Sequence, residues 1–140
     1  MKILVAADGS PFTKRMLAYL AAHDEWLGSH HEYTVITVCP PVPARAAAAL
    51  SKEMLKGYYD EHADKVFKPI RTFLERQGLR ANYLSRNGDA ADAIAAEANK
   101  GKYDLLVLGS HGHSALGNLV MGSVATKVVA GCKVPVLIVR

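Results

Sequence analysis

Two short loops carry the residues best suited to chemistry. The first candidate runs Gly109-Ser110-His111-Gly112-His113-Ser114 and is followed, after the segment 115–121, by Gly122-Ser123, giving the spacing Gly109-x2-Gly112-x9-Gly122-Ser123. A phosphate needs several backbone N–H groups aimed at one point. Glycines let the chain approach closely and adopt positive φ, and a helix N-terminus adds partial positive charge. Ser123 offers an amide and a hydroxyl together. The same glycines would also suit plain turns and a helix cap. The second loop is Asp8-Gly9-Ser10, whose carboxylate either holds a nucleotide-bound Mg²⁺ through water or caps the turn into the next helix. A Walker A loop is excluded because Val124, not a Lys-Ser/Thr pair, completes Gly122-Ser123-Val124, and no GxGxxG follows the first apolar run.

Other eye-catching residues point to binding more than to catalysis. His111 and His113 lack the carboxylate cluster that a metal site would want, so phosphate contact or plain exposure is the reading for both. Ser10, Ser110, Ser114 and Ser123 lie near glycines, but none sits in a G-x-S-x-G elbow, and SGGxDS and HxGH signatures are missing. No residue is assigned a catalytic role. His30-His31 is read as a solvent-facing pair. Cys39 and Cys132 have no CxxC or zinc-type spacing, which fits reduced thiols in a cytoplasmic protein. Cys39 follows an apolar run, where it would either line a crevice or be buried as a structural thiol.

The loops need a scaffold, and the rest of the chain supplies one. Of 140 residues half are apolar, enough for one compact domain over 1–140 with a core of its own. Lys and Arg number 17 against 13 Asp and Glu, a net charge of +4 that suits an anionic ligand but is small for a nucleic-acid surface. The opening apolar run stops at Asp8, short of a signal peptide, and no stretch approaches bilayer length. Apolar runs at Ile3 to Ala7, Tyr33 to Val38, Leu79 to Ser85, Asp104 to Leu108 and Val134 to Val139 alternate with helical patterns, the rhythm of a parallel sheet covered on both faces. The first, fourth and fifth are continuous in Val, Leu and Ile, as strands buried on both faces are. The third alternates and belongs nearer an edge.

Helix signals fall between the strands. Ser10-Pro11 supplies an N-cap and N1 proline before a helix from Phe12 to Trp26, and Asp89-Ala90-Ala91-Asp92 resembles a capping box opening Ala90 to Asn99. Ser123 to Ala130 is the last helix. The segment from Pro43 to Gln77 reads as mostly helical, with Pro69 expected to kink or break it. In such a sheet ligands bind beyond the carboxyl ends of strands, where neighbouring connections leave for opposite faces. If the first and fourth strands are neighbours, the two loops face each other across that crevice.

The chain resembles the universal stress proteins of the UspA type along nearly its whole length. The likeness is carried by Lys2-Ile3-Leu4-Val5-Ala6-Ala7-Asp8-Gly9-Ser10, Gly88-Asp89-Ala90-Ala91-Asp92-Ala93-Ile94, Asp104-Leu105-Leu106-Val107-Leu108-Gly109-Ser110-His111-Gly112, Gly122-Ser123-Val124-Ala125 and Val134-Pro135-Val136-Leu137-Ile138-Val139-Arg140. The resemblance implies a Rossmann-like sheet of the adenine nucleotide alpha hydrolase type, in strand order 3-2-1-4-5. It implies a stress-responsive regulator that binds ATP, ADP or AMP with Mg. Gly109, Gly112, Gly122 and Ser123 would hold phosphates and ribose, Asp8 and Val38 would flank the adenosine, and Ala6, Leu108 and Val124 would wall the pocket. His113 stands where relatives often carry Arg or Lys, and offers one neutral donor. The resemblance further implies a homodimer through the edge strand Val136, Leu137, Ile138 and Val139. A dimer without nucleotide and a slow ATPase are the alternatives.

Overall fold

The computed structural model of the protein describes residues 1–114 and 118–140, so part of the nine-residue spacer before Gly122 lies outside the described residues. The elements run β1 (Lys2–Ala6), α1 (Pro11–Ala22), α2 (Asp24–Leu27), β2 (Glu32–Cys39), α3 (Ala44–Ala47), α4 (Lys52–Arg76), β3 (Ala81–Asn87), α5 (Ala90–Lys100), β4 (Leu105–Gly109), α6 (Ser123–Gly131) and β5 (Val136–Val139). The strands form one parallel sheet in the order β3-β2-β1-β4-β5. Among the described residues no helix is long and apolar enough to cross a membrane.

Side chains alternate across a strand, so β1 feeds two cores at once. Ile3 and Val5 pack with Val35, Met16, Leu20, Phe67 and Ile70 on the α1/α4 face, whereas Leu4 and Ala6 pack with Ile36, Ile94, Leu106, Leu108 and Val128 on the α5/α6 face. The central position of β1 explains its unbroken apolar run. Ala7 extends the ladder by one bond, its N–H donating to Ile36 O at 2.9 Å. From β1 the chain proceeds toward β2 and β3, and from β4 it proceeds toward β5. The sheet order therefore reverses between β1 and β4.

Several local expectations change. Pro69 neither breaks α4 nor ends it. Its ring costs the helix a bond to the carbonyl of Lys65, but both residues are exposed, and water can serve that carbonyl while Val66, Phe67 and Ile70 hold the buried face. The helix expected from Phe12 to Trp26 divides at His23, whose Nδ1 pairs with Tyr19 O at 2.8 Å and whose own carbonyl starts the next turn. Leu79 is not in β3. It closes a Schellman motif in which Gly78 takes φ +70°, Gly78 N–H donates to Glu75 O and Leu79 N–H donates to Leu74 O. Ser10 holds the N-cap position but its side chain makes no cap bond, and its fully buried Oγ has no partner among the described residues. Asp89 does cap α5, accepting from Asp92 N–H at 3.0 Å. His31 is tied down, with Nδ1 on the Met1 amine and Nε2 on Trp26 O. Finally, β5 is apolar yet lies at an edge, so Val136, Leu137 and Ile138 are only half-buried.

Candidate functional site

Beyond the carboxyl ends of β1, β2 and β4 the chain encloses a cleft of about 500 Å³. Every residue expected at a binding site from the sequence lines it: Ala6, Asp8, Val38, Leu108, Gly109, His111, Gly112, His113, Gly122, Ser123 and Val124. The reversal of sheet order between β1 and β4 creates the opening, because the chain leaves the two strand ends in opposite directions.

The Asp8 turn is built from local polar chemistry. Asp8 Oδ1 accepts from Ser10 N–H at 2.9 Å and from the Thr13 hydroxyl at 3.1 Å, and Thr13 Oγ1 accepts from the N–H groups of Asp8 and Gly9. These bonds hold a bend whose middle residue, Gly9, takes φ +78°. One carboxylate oxygen thus fixes the turn. The other, Oδ2, faces Gly112, where a Cβ would lie only 2.5 Å away.

Crowding, not conformation, explains the three cradle glycines. None of Gly109, Gly112 and Gly122 has positive φ, contrary to the sequence expectation. A Cβ on Gly109 would stand 2.9 Å from Phe12 Cβ, and one on Gly122 would stand 3.2 Å from His111 Cα and from Ser110 O. Gly122 N–H donates to Ser110 O at 2.7 Å and so pins the start of α6 onto the loop after β4. The first bond of α6 is Thr126 N–H to Gly122 O, which leaves the amides of Ser123, Val124 and Ala125 without intrahelical acceptors. No acidic residue occupies that first turn. Its partial positive charge is available to an anion.

The two loop histidines are committed within the protein. His111 Nε2 pairs with Leu119 O at 2.8 Å and Nδ1 with Ser110 Oγ at 2.9 Å. A carbonyl only accepts, so Nε2 carries the proton, and in the neutral ring Nδ1 receives the Ser110 hydroxyl. The ring also packs against Phe12. His111 therefore braces the loop and lines the cleft without a free ring nitrogen. His113 Nε2–H donates to Asp8 O at 2.7 Å, clasping the glycine loop to the end of β1. The donor expected to reach phosphate is spent on that clasp.

Several lining residues escape sequence reasoning: Thr13, Ile36, Pro40, His62, Ala90 and Ile94. Thr13 had a local signal in its nearness to Asp8. His62 had none, since it arrives from the middle of α4. Its Nδ1 is buried with no partner among the described residues. Leaving a buried polar atom unpaired costs about 1–3 kcal/mol, so the omission is not neutral. Cys39, by contrast, is 1% exposed and outside the lining, and burial pushes its thiol pKa up, which keeps it protonated and unreactive. Among the described residues no group of three or more His, Cys, Asp or Glu is placed to hold a metal by itself.

Comparison with known proteins agrees with this architecture. A universal stress protein of Thermus aquaticus is 36% identical over 139 residues, spanning 99% of this chain and 97% of its own. The solved structure of protein MJ0577, from Methanocaldococcus jannaschii, superposes with a TM-score of 0.81 at 24% identity, covering 99% of this chain and 94% of that one. A universal stress protein of Arabidopsis thaliana, solved with AMP bound, has a TM-score of 0.69 at 18% identity over 99% of this chain and 90% of its own. Two further universal stress proteins sharing the fold were solved with cAMP and, in that of Archaeoglobus fulgidus, with dAMP, at TM-scores of 0.65 and 0.58. The universal stress protein family profile matches residues 1–140 from end to end, and the chain belongs to that family.

Proposed function

We propose that the cleft binds an adenine nucleotide, ATP or its di- and monophosphate counterparts, and that occupancy regulates the protein's contacts with partners. One observation carries this reading. At the point where the sheet order reverses, the first amides of α6, without partners among the described residues, and three glycines on which a Cβ would crowd its neighbours converge opposite Asp8. That arrangement suits phosphates held by backbone, with Gly109, Gly112, Gly122 and Ser123 as the clamp. Ala6, Leu108 and Val124 wall the cleft, and Val38 stands at the end of β2, where its backbone would meet the base. The AMP-, cAMP- and dAMP-bound relatives support the ligand class.

A Mg²⁺ ion would arrive with the nucleotide. Asp8 Oδ2 is the carboxylate oxygen left for it, because Oδ1 is held by Ser10 and Thr13. The half-buried apolar edge at Val136, Leu137 and Ile138 supports a homodimer in which two β5 strands pair. The setting is the cytoplasm, where ATP is abundant.

The purified protein, denatured and extracted, should release an adenine nucleotide identifiable by chromatography, or should bind one when it is added at millimolar concentration. Release of nothing, together with no binding at that concentration, would overturn the proposal.

A further inference from the structure

We infer that His62 reads the nucleoside half of the ligand, donating a hydrogen bond from Nε2–H to an acceptor on the base or ribose. The inference rests on the nucleotide reading above and assigns a specificity role to a residue outside the glycine loop.

α4 packs on β2 and β3, on the far side of β1 from the β4 glycine loop. Val66, one turn after His62, reaches within 3.7 Å of the space beside Gly9. Because α4 runs opposite to the strands it covers, His62 stands about one turn, ~5 Å, farther out beyond the strand ends, at the rim of the cleft. β2 and β4 flank β1, so their ends lie roughly 10 Å apart. With phosphates held at the β4 side, a group at His62 meets the other end of the nucleotide.

The cleft wall near β2 is apolar at Ile36, Val38, Pro40 and Ile94, and the Thr13 hydroxyl is already committed to Asp8. His62 brings a polar group to this end. Its Nδ1 is sealed from water without a partner among the described residues. An N–H at that atom would have nothing to donate to, so the neutral ring carries its proton on Nε2. The ring then offers a directed donor, suited to a purine ring nitrogen or a sugar oxygen.

Calorimetric titration of adenosine, AMP and tripolyphosphate into wild type, His62→Phe and His62→Gln tests this. The phenylalanine keeps the ring's bulk without a donor, and the glutamine restores an N–H near the same place. Adenosine and AMP should each bind about tenfold more weakly to His62→Phe, tripolyphosphate should be unaffected, and His62→Gln should recover most of the loss. In ¹⁵N spectra of the wild-type ring, the His62 Nε2 resonance should shift with adenosine and stay still with tripolyphosphate. Equal adenosine and AMP affinity in wild type and His62→Phe, a loss shared by tripolyphosphate, or an unmoved Nε2 resonance would overturn the role of His62 while leaving nucleotide binding intact. A wild type that binds neither adenosine nor AMP would remove the nucleotide reading itself, and His62's role with it.

Discussion

Gly112 and Gly78 are the same residue type serving opposite ends of the molecule for different physical reasons. Gly78, at the base of α4, holds a left-handed turn at φ +70° with open space where a Cβ would go. Gly112, at the cleft, has an ordinary φ, but a Cβ there would stand 2.5 Å from Asp8 Oδ2, which would have to move. One glycine serves conformation and hence stability. The other serves proximity and, in the proposed reading, binding.

Substitution should separate the two. The largest effect is expected for Gly112→Val, which fills the gap between the glycine loop and Asp8 and should weaken AMP binding by about a hundredfold or more, a loss of ~2.7 kcal/mol, in calorimetric titration. Its urea midpoint should fall somewhat as well, since Asp8 Oδ2 must move aside while Oδ1 holds the turn, but the loss of affinity should exceed that fall. Gly78→Ala should do the reverse: about 1–2 kcal/mol of stability lost in urea unfolding, from forcing an L-residue into the left-handed region, with AMP affinity unchanged. If Gly78→Ala impaired binding as much as Gly112→Val, the contrast would collapse.

A smaller effect should follow from His113→Ala. Loss of its bond to Asp8 O removes about 1 kcal/mol of clasp energy, read as faster amide exchange at Gly112 and a few-fold drop in AMP affinity. Unchanged exchange would mean that the loop is held without the clasp. The smallest departure near neutral pH concerns Tyr33, whose buried hydroxyl donates to the carbonyls of Leu27 and Gly28 and whose pKa burial pushes up to about 12. The unfolded chain ionises this phenol near its ordinary value and the folded chain does not. Above pH 10 the folded state therefore binds more protons, and stability falls as pH rises toward 12. Tyr33→Phe should flatten that alkaline decline in thermal melts.

Local pattern made much of this molecule legible. The continuous apolar runs gave the strands, the alternation in Leu79 to Leu84 marked an edge, and the resemblance ordered the sheet. The glycine spacing located the cleft because its residues end or follow a strand or open a helix. What local pattern hid depends on partners distant in sequence. Pro69 stays inside α4 because packing outweighs one lost bond. His23 splits a helix by capturing the Tyr19 carbonyl. The motif glycines matter through Phe12, Asp8 and His111 instead of φ, and the imidazoles of His111 and His113 turn toward carbonyls that only the folded chain brings near. His62 reaches the cleft through the packing of α4 on β2, which nothing in its neighbouring residues announces.

The central claim, that an adenine nucleotide sits between the glycine loop and the start of α6, is tested most directly by following backbone amide resonances while AMP is added. Saturable shifts concentrated at Gly112, Gly122, Ser123 and Val124, with Asp8 and Val38 following and the Gly78 turn still, are predicted. Shifts confined to other surfaces, or none at millimolar AMP, would contradict it.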